Sequence, residues 1–72
     1  MHSPLIMRLN RIKILLHEKG KTSKDLAKDL GKAQSTVSRW CTNDAQPSLE
    51  MLYQISVYLK VDIRELLVST KE

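Results

Sequence analysis

Residues 22–40 read TSKDLAKDLGKAQSTVSRW, and this stretch decides the fold of the chain. Thr22 can accept a backbone N–H at a helix start, and Asp25, three residues later, suits the reciprocal position of a capping box. Gly31 provides the left-handed backbone conformation that ends a helix at little cost. The stretch therefore predicts two short helices with a tight turn between them.

The apolar side chains of these two helices share an inward direction. Leu26, Ala27 and Leu30 lie on one side of the first, and Val37 and Trp40 follow at three-residue spacing in the second. Two helices that cross steeply over a short turn must approach closely, and the small Ala27 allows that approach. The pattern is typical of a helix-turn-helix motif, and it leaves the polar residues of its second helix facing outward.

The same stretch resembles a known family of DNA-binding domains. Its T-x-x-D-L-A-x-x-L-G-x-x-x-S-T-V-S-R-W run is similar to the consensus of the Cro/lambda-repressor-like (XRE) family, and a later run, P-S-L-x-x-L-x-x-I-x-x-x-L-x-V-D-x-x-E-L-L, also resembles it. The resemblance covers about residues 9–67. It implies an all-α fold, a compact five-helix bundle with a helix-turn-helix, and double-stranded DNA as the partner.

Length and charge agree with a small nucleic-acid binder. Seventy-two residues suffice for one domain, with little room for the cavity of roughly 300–1,000 Å³ that small-molecule enzymes use. The net charge is +4, and residues 1–39 hold nine Lys or Arg against three Asp or Glu, whereas residues 40–72 hold three against five. The positive charge is therefore concentrated in the half of the chain that contains the helix-turn-helix. Taken by itself, this charge could also belong to an ordinary solvated surface.

The chain in order predicts five helices within one domain. We expect a loose lead-in over residues 1–6, the helix-turn-helix domain over residues 7–69 and a fraying tail over residues 70–72. Ser48 is the expected N-cap of the fourth helix, and Asp62 with Glu65 forms a second capping box. The predicted helices span about residues 7–19, 23–30, 34–42, 48–60 and 62–69.

Apolar positions at helical spacing predict the rest of the core. We expect inward stripes on the first and fourth helices and packing of the last helix against the first. The residues concerned are Leu9, Ile12, Leu15 and Leu16, then Leu49, Leu52, Ile55, Ser56 and Leu59, and finally Leu66 and Leu67. Trp40 is expected in the core rather than stacked on a ligand.

The outer face of the third helix carries side chains that can read DNA bases. The major groove admits one α-helix, and amide and guanidinium groups match the edges of adenine and guanine. Gln34 can bond adenine and Arg39 guanine, while Ser35 and Thr36 can reach a base or a phosphate. The family resemblance likewise implies base-reading positions for Gln34, Ser35 and Arg39.

Other polar residues near this helix are expected to contact the DNA backbone. By the resemblance, Ser23 occupies a backbone-anchoring position at the start of the second helix, where the helix N-terminus favours phosphate. Asn43 stands where the family usually has glycine, and asparagine tolerates the left-handed conformation. The remaining candidates are Lys24, Lys32, Ser38 and Thr42, with the lysines adding a salt-dependent attraction.

Each candidate also has an interpretation without a DNA role. Gln34 and Ser35 could cap and solvate a helix start. Arg39 could pair with a surface carboxylate, and the lysines could belong to an ordinary charged face.

Two positions depart from the family pattern together. The family commonly places an arginine late in its first helix and a glutamate after the recognition-helix Trp or Ile, and the two form a partly buried ion pair. Here these positions are Leu16 and Cys41, and replacing both members of such a pair by apolar groups can be neutral or better. We expect Leu16 to contact Cys41, and Cys41 to be a buried packing residue rather than a reactive thiol.

The sequence suggests no enzyme, cofactor, metal site or small-molecule substrate. Cys41 is the single cysteine, so an internal disulfide and a multi-cysteine zinc site are impossible. Gly20-Lys21-Thr22 lacks the earlier glycine of a phosphate-binding loop, and His17-Glu18 lacks the second histidine of a zinc-protease helix. Without a secretory signal or an apolar run near the roughly 20 residues of a membrane span, we expect a cytoplasmic protein of bacterial or phage origin, nucleoid-associated when bound.

The predicted function is a sequence-specific DNA-binding transcriptional regulator, repressor-like, that inserts its third helix into the major groove of a palindromic operator. We expect a homodimer with Tyr58, Ile63 and Val68, joined by Ile14, at the two-fold surface, although these residues could equally be the edge of a small core. The alternative is a protein-interaction module on the same fold, antitoxin-like or phage-encoded. A membrane-binding peptide built on the first helix is a third option, which the core-facing stripe of that helix argues against.

Overall fold

The computed structural model describes residues 7–71, and within them the secondary structure is helical. The α-helices are α1 (Ile12–Glu18), α2 (Ser23–Leu30), α3 (Gln34–Cys41) and α4 (Leu49–Leu59), and a single 3₁₀ turn spans Ile63–Leu66. The expected lead-in over residues 1–6 and the last residue of the expected tail lie outside the described residues.

Helix α2 begins and ends as its sequence predicts. The Asp25 N–H donates to Thr22 Oγ1 at 3.1 Å, and the Thr22 N–H donates to Asp25 Oδ2 at 2.9 Å, which completes the capping box. At the other end Gly31 is left-handed with φ 67°, and the Lys32 N–H bonds the Ala27 carbonyl at 3.0 Å. The backbone groups at both ends are therefore satisfied locally, and α3 begins three residues after Gly31.

One hydrophobic core joins all four helices and the 3₁₀ turn. Most of the expected inward residues are buried, and Ser56 is buried with them on α4. The buried apolar side chains are Ile12, Leu15, Leu16, Leu26, Ala27, Val37, Trp40, Leu52, Ile55, Leu59 and Leu66. Three residues predicted to face inward, Leu9, Leu49 and Leu67, are exposed instead.

Helix α1 begins five residues later than its apolar spacing predicts. Asn10 interrupts the helix because its Oδ1 accepts the Ile12 N–H at 3.0 Å, a local bond that competes with helical pairing. The Leu9 and Asn10 N–H groups donate to the Asn43 side chain. Residues 7–11 are therefore held outside the helix, and Leu9 is no longer part of the inward stripe.

The expected fifth helix is only one 3₁₀ turn. Its capping box is present, since Asp62 accepts the Arg64 N–H at 2.8 Å and Glu65 accepts the Asp62 N–H at 3.0 Å. Beyond Leu66 the chain is extended: Leu67 forms an antiparallel bridge with Asn10, and the Val68 N–H bonds the Leu9 carbonyl at 2.9 Å. Pairing between the two ends of the domain replaces the next helical turn, and the Leu67 side chain is left exposed rather than packed on α1.

Replacing Lys60 by glycine tests the strain at the end of α4. Lys60 is left-handed with φ 58°, a conformation that costs a non-glycine residue energy. We expect Lys60→Gly to raise the free energy of unfolding by about 0.5–1 kcal/mol in urea titration. Glycine relieves the strain of the left-handed conformation in the folded state, and this gain exceeds the cost of the greater backbone entropy of the unfolded chain. The matched change Lys28→Gly, at an exposed right-handed position in α2, should instead lower it by about 1 kcal/mol. Equal losses in both variants would contradict strain at Lys60.

Candidate nucleic-acid interface

The predicted base-reading residues share the exposed surface of α3. Gln34, Ser35, Thr36 and Arg39 are all exposed, whereas Val37 and Trp40 on the opposite side are buried in the core. Burial of two large side chains one turn apart fixes the rotation of the helix about its axis. The four polar side chains are consequently brought together on the outside of the molecule.

Neither Gln34 nor Ser35 caps the start of α3. The N-cap residue is Ala33, and no side chain bonds the first backbone N–H groups there. The interpretation of Gln34 and Ser35 as capping residues is therefore wrong. The alternative for Arg39 also lacks support, since within residues 7–71 the ion pair found is Arg64–Asp62 at 3.1 Å.

Thr42 is exposed just after the last turn of α3. Its hydroxyl lies 3.2 Å from the Arg39 carbonyl oxygen and 3.1 Å from Asp44 Oδ2, and it can donate to either. The lone pairs on Oγ1 cannot accept from phosphate, which carries no proton at neutral pH, so a phosphate contact requires the hydroxyl to turn away from these partners. Asp44 also places a negative charge nearby, which weakens Thr42 as a phosphate ligand.

Asn43 is not an outward-facing DNA contact, and this prediction is wrong. Its left-handed backbone, φ 64°, agrees with the sequence expectation, but its side chain is only 8% exposed. Its Oδ1 accepts the N–H groups of Leu9 at 2.9 Å and Asn10 at 3.0 Å and the Gln46 amide at 3.0 Å. Its Nδ2 donates to the Asn10 carbonyl at 3.3 Å. These inward hydrogen bonds hold the buried side chain away from the surface, where a phosphate would lie.

Asn10 completes this polar network from the other side. Its Nδ2 donates to the Trp40 carbonyl at 2.9 Å and to Gln46 Oε1 at 2.7 Å. The network therefore joins the segment before α1 to the end of α3. Sequence reasoning missed Asn10 and Gln46; an asparagine two residues before a helical stretch is a capping signal that could have identified Asn10.

A cleft of about 370 Å³ lies between α1, the start of α2 and the end of α3. It brings together three of the predicted backbone-contact residues, Ser23, Ser38 and Thr42. Lys24 and Lys32 are exposed elsewhere on the surface. The lining residues are Lys13, Leu16, His17, Lys21, Thr22, Ser23, Ser38, Cys41 and Thr42.

Three basic residues of this cleft were missed by the sequence analysis. Lys13 and His17 are one helical turn apart on α1, and Lys21 follows that helix. The four-residue spacing of Lys13 and His17 is a signal that could have found two of them. The Lys21 ammonium lies 5.6 Å from the centroid of the Tyr58 ring, which holds this charge partly away from the cleft.

Leu16 and Cys41 form the apolar part of the same cleft. Leu16 is buried, and Cys41 is half-buried against the core rather than fully buried as expected. Burial raises the pKa of the Cys41 thiol, and the nearby Lys13 charge opposes that rise. The thiol is therefore favoured over the thiolate, while direct contact between Leu16 and Cys41 stays a prediction.

The described part of the chain contains neither a membrane-spanning helix nor a metal-binding cluster. None of the helices within residues 7–71 is long and apolar enough to cross a membrane. Over the same residues, His, Cys, Asp and Glu side chains form no cluster of three that could hold a metal ion.

Comparison with known proteins places the helical region in a described family. The family model described as Helix-turn-helix matches residues 12–66, which are the first helical residue of α1 and the last of the 3₁₀ turn. A crystal structure of a "putative DNA-binding protein" from Bacteroides fragilis is 50% identical, with a TM-score of 0.83 over 86% of this chain and 100% of that chain. No curated protein matches the chain.

Removing the Asn43 side chain tests the network that holds the end of α3. We expect Asn43→Gly to lower the free energy of unfolding by about 2–3 kcal/mol, because buried backbone groups lose their partners while the left-handed φ is preserved. Thr42→Ala, which removes exposed hydrogen bonds next to it, should change stability by less than about 0.5 kcal/mol. Urea unfolding of both variants measures this, and equal stability of Asn43→Gly and the parent chain would refute the role of the network.

Proposed function

This chain belongs to the helix-turn-helix family of the XRE type, and on that premise we propose that it is a sequence-specific, repressor-like transcriptional regulator that inserts α3 into the major groove of a palindromic operator. One observation carries the proposal: Gln34, Ser35, Thr36 and Arg39 are all exposed on a helix whose other side is buried. The relative from Bacteroides fragilis, described as a "putative DNA-binding protein", agrees with it.

The dimensions of α3 suit the groove. An α-helix with its side chains is about 10–12 Å across, and the major groove is about 12 Å wide. With the N-terminal end pointing inward, the Gln34 amide can bond N6 and N7 of adenine, and the Arg39 guanidinium can bond N7 and O6 of guanine. Ser35 and Thr36 adjoin the same edges, where the Thr36 methyl can contact a thymine methyl.

Backbone contacts would fix the register of α3 on the duplex. Ser23 begins α2, whose N-terminal N–H groups attract phosphate. Ser38 and Thr42 border the cleft on the α3 side, and Ser38 is the stronger candidate of the two because Asp44 lies beside the Thr42 hydroxyl. The exposed lysines Lys24 and Lys32 add attraction without sequence preference. Such contacts position the protein, whereas base contacts specify the site.

The intact outer face of α3 favours DNA over a purely protein partner. A protein-interaction module, antitoxin-like or phage-encoded, has no need for exposed amide and guanidinium groups in a row on this helix. The same proposal assigns the protein to the cytoplasm of a bacterium or of a phage-infected cell, without an enzymatic role.

A palindromic operator requires two copies of α3 about 34 Å apart, and we propose a homodimer. Of the residues predicted for its surface, Ile14 and Val68 are exposed, but Tyr58 and Ile63 are half-buried against the core. They therefore offer less apolar area than the sequence suggested.

Helix α4 offers a second candidate for the dimer surface. Leu49, Tyr53 and Val57 recur every four residues and are 73%, 63% and 58% exposed. Glu50 lies in the first turn of α4 and Lys60 caps its end. Two copies of α4 packed antiparallel about a two-fold axis would bring these opposite charges near each other while burying the apolar row.

Changing Arg39 tests sequence reading. We expect Arg39→Ala to lose about 1–3 kcal/mol on the best duplex, selected from a random pool, and to relax preference at one base position. Lys32→Ala should instead weaken binding to all duplexes alike and reduce the salt slope. Fluorescence anisotropy on matched and mutated duplexes measures both effects. Unchanged site preference in Arg39→Ala would remove this residue from the reading set, and parent binding that ignores sequence at every salt concentration would refute specificity.

Two charge insertions locate the dimer surface. Tyr53→Glu should convert a dimer to a monomer if α4 forms the interface, because a carboxylate would be buried in an apolar row. Val68→Glu makes the same test on the surface first predicted, and we expect it to leave the dimer intact. Sedimentation velocity at micromolar concentration distinguishes the outcomes. A parent chain that is monomeric with and without DNA would end the dimer proposal.

A further inference from the structure

We propose that Asn10, in the segment before α1, is a positioning residue for base reading, because it holds the turn of α3 from which Arg39 projects. The inference rests on the proposed DNA-binding function and deepens it: a residue that does not touch DNA helps to determine site preference. The Asn10 side chain lies inside the protein, since the residue is only 5% exposed.

The last carbonyl groups of α3 are bonded from outside the helix. An α-helix leaves its last four carbonyls without partners of its own. The Trp40 carbonyl accepts from Asn10 Nδ2 at 2.9 Å and from the Asn43 N–H at 3.1 Å. Asn43 follows α3 directly, whereas Asn10 lies thirty residues before Trp40. Because the eight residues of α3 make only about two turns, this long-range bond acts on half of the helix.

Asn10 is itself fixed by hydrogen bonds in several directions. Its Oδ1 accepts the Ile12 N–H at 3.0 Å, and its own N–H donates to Asn43 Oδ1 at 3.0 Å. Its Nδ2 also donates to Gln46 Oε1 at 2.7 Å. A buried amide with this set of partners has one favourable orientation. The donor that faces the Trp40 carbonyl is therefore held rigidly.

The two base-reading ends of α3 differ in their distance from this bond. Arg39 immediately precedes Trp40, and its long side chain amplifies any tilt of the last turn. Bidentate bonding to one guanine edge needs both guanidinium donors in place at once. Gln34, at the start of α3, lies about 7.5 Å from Arg39 along the helix axis. We therefore expect Asn10 to govern the base read by Arg39 and not the base read by Gln34.

Asn10→Ser removes the Nδ2 donor, while the serine hydroxyl can still accept the Ile12 N–H. We expect the best duplex selected for the parent chain to bind about three- to tenfold more weakly, with preference relaxed at one base position. A duplex of unrelated sequence should bind within about twofold of the parent value, with an unchanged salt slope, because no phosphate contact is lost. Fluorescence anisotropy measures these affinities, at a temperature where circular dichroism shows each variant to be folded.

Double variants identify the base reader through which Asn10 acts. Arg39→Ala should weaken binding to the best duplex about tenfold in the parent chain, and no more than about threefold in Asn10→Ser, because the guanidinium is already misplaced there. Gln34→Ala should cost the same factor in both chains, within about twofold, as independent sites do. A residue that only stabilised the fold would not distinguish the two ends of α3.

Two further variants separate positioning from stability. Ile55→Val trims the buried core on α4 without removing a member of the network, and it should keep the parent site preference and the full effect of Arg39→Ala. Gln46→Met removes one acceptor of Asn10 Nδ2 from an exposed position. It should reduce the effect of Arg39→Ala less than Asn10→Ser does, and it carries the test if Asn10→Ser does not fold.

The outcomes distinguish this inference from the proposed function. If the parent chain prefers one duplex and Arg39→Ala costs the same factor with and without Asn10, the inference is overturned while DNA binding stands. The same holds if Asn10→Ser and Ile55→Val weaken all duplexes alike, or if Asn10→Ser fails to fold and Gln46→Met leaves the effect of Arg39→Ala unchanged. If the parent chain prefers no duplex, the proposed function fails and the inference fails with it.

Discussion

The hydrogen bonds of Asn43 are the constraint on which the position of α3 depends. One side chain accepts from the backbone of Leu9, the backbone of Asn10 and the amide of Gln46. It joins the chain before α1 to the turn after α3, more than thirty residues away in sequence. Asn10 in turn donates from Nδ2 to the Trp40 carbonyl at the end of α3. Since buried polar groups are costly when unpaired, removing any member of this network destabilises the others.

This constraint has consequences at both ends of the domain. Because residues 7–11 are held by Asn43, α1 starts only at Ile12, and the freed segment pairs with the extended chain after Leu66. The same pairing limits the last helical element to one 3₁₀ turn. The two ends of the domain therefore meet beside the C-terminus of α3, and they support the helix that carries the exposed polar row.

Leu16 and Cys41 make part of the cleft lining apolar. Leucine and cysteine need no ionic partner, and the cleft lining within the described residues has no carboxylate to neutralise the Lys13 ammonium. The cleft thus combines the Lys13 ammonium, an apolar patch and the hydroxyls of Ser38 and Thr42. Because Leu16 and Cys41 carry no charge, the side chains at these two positions add none to the cleft.

The sequence by itself determined the helix-turn-helix, because its signals are local. Thr22 with Asp25 caps α2, Gly31 ends it, and the spacing of Val37 and Trp40 orients the polar face of α3; these interactions act within one or two helical turns. Only the tertiary structure decided the ends of the domain, the inward direction of Asn43 and the grouping of Lys13 and His17 with Ser38. These features depend on hydrogen bonds and packing between segments distant in sequence, which override local propensity.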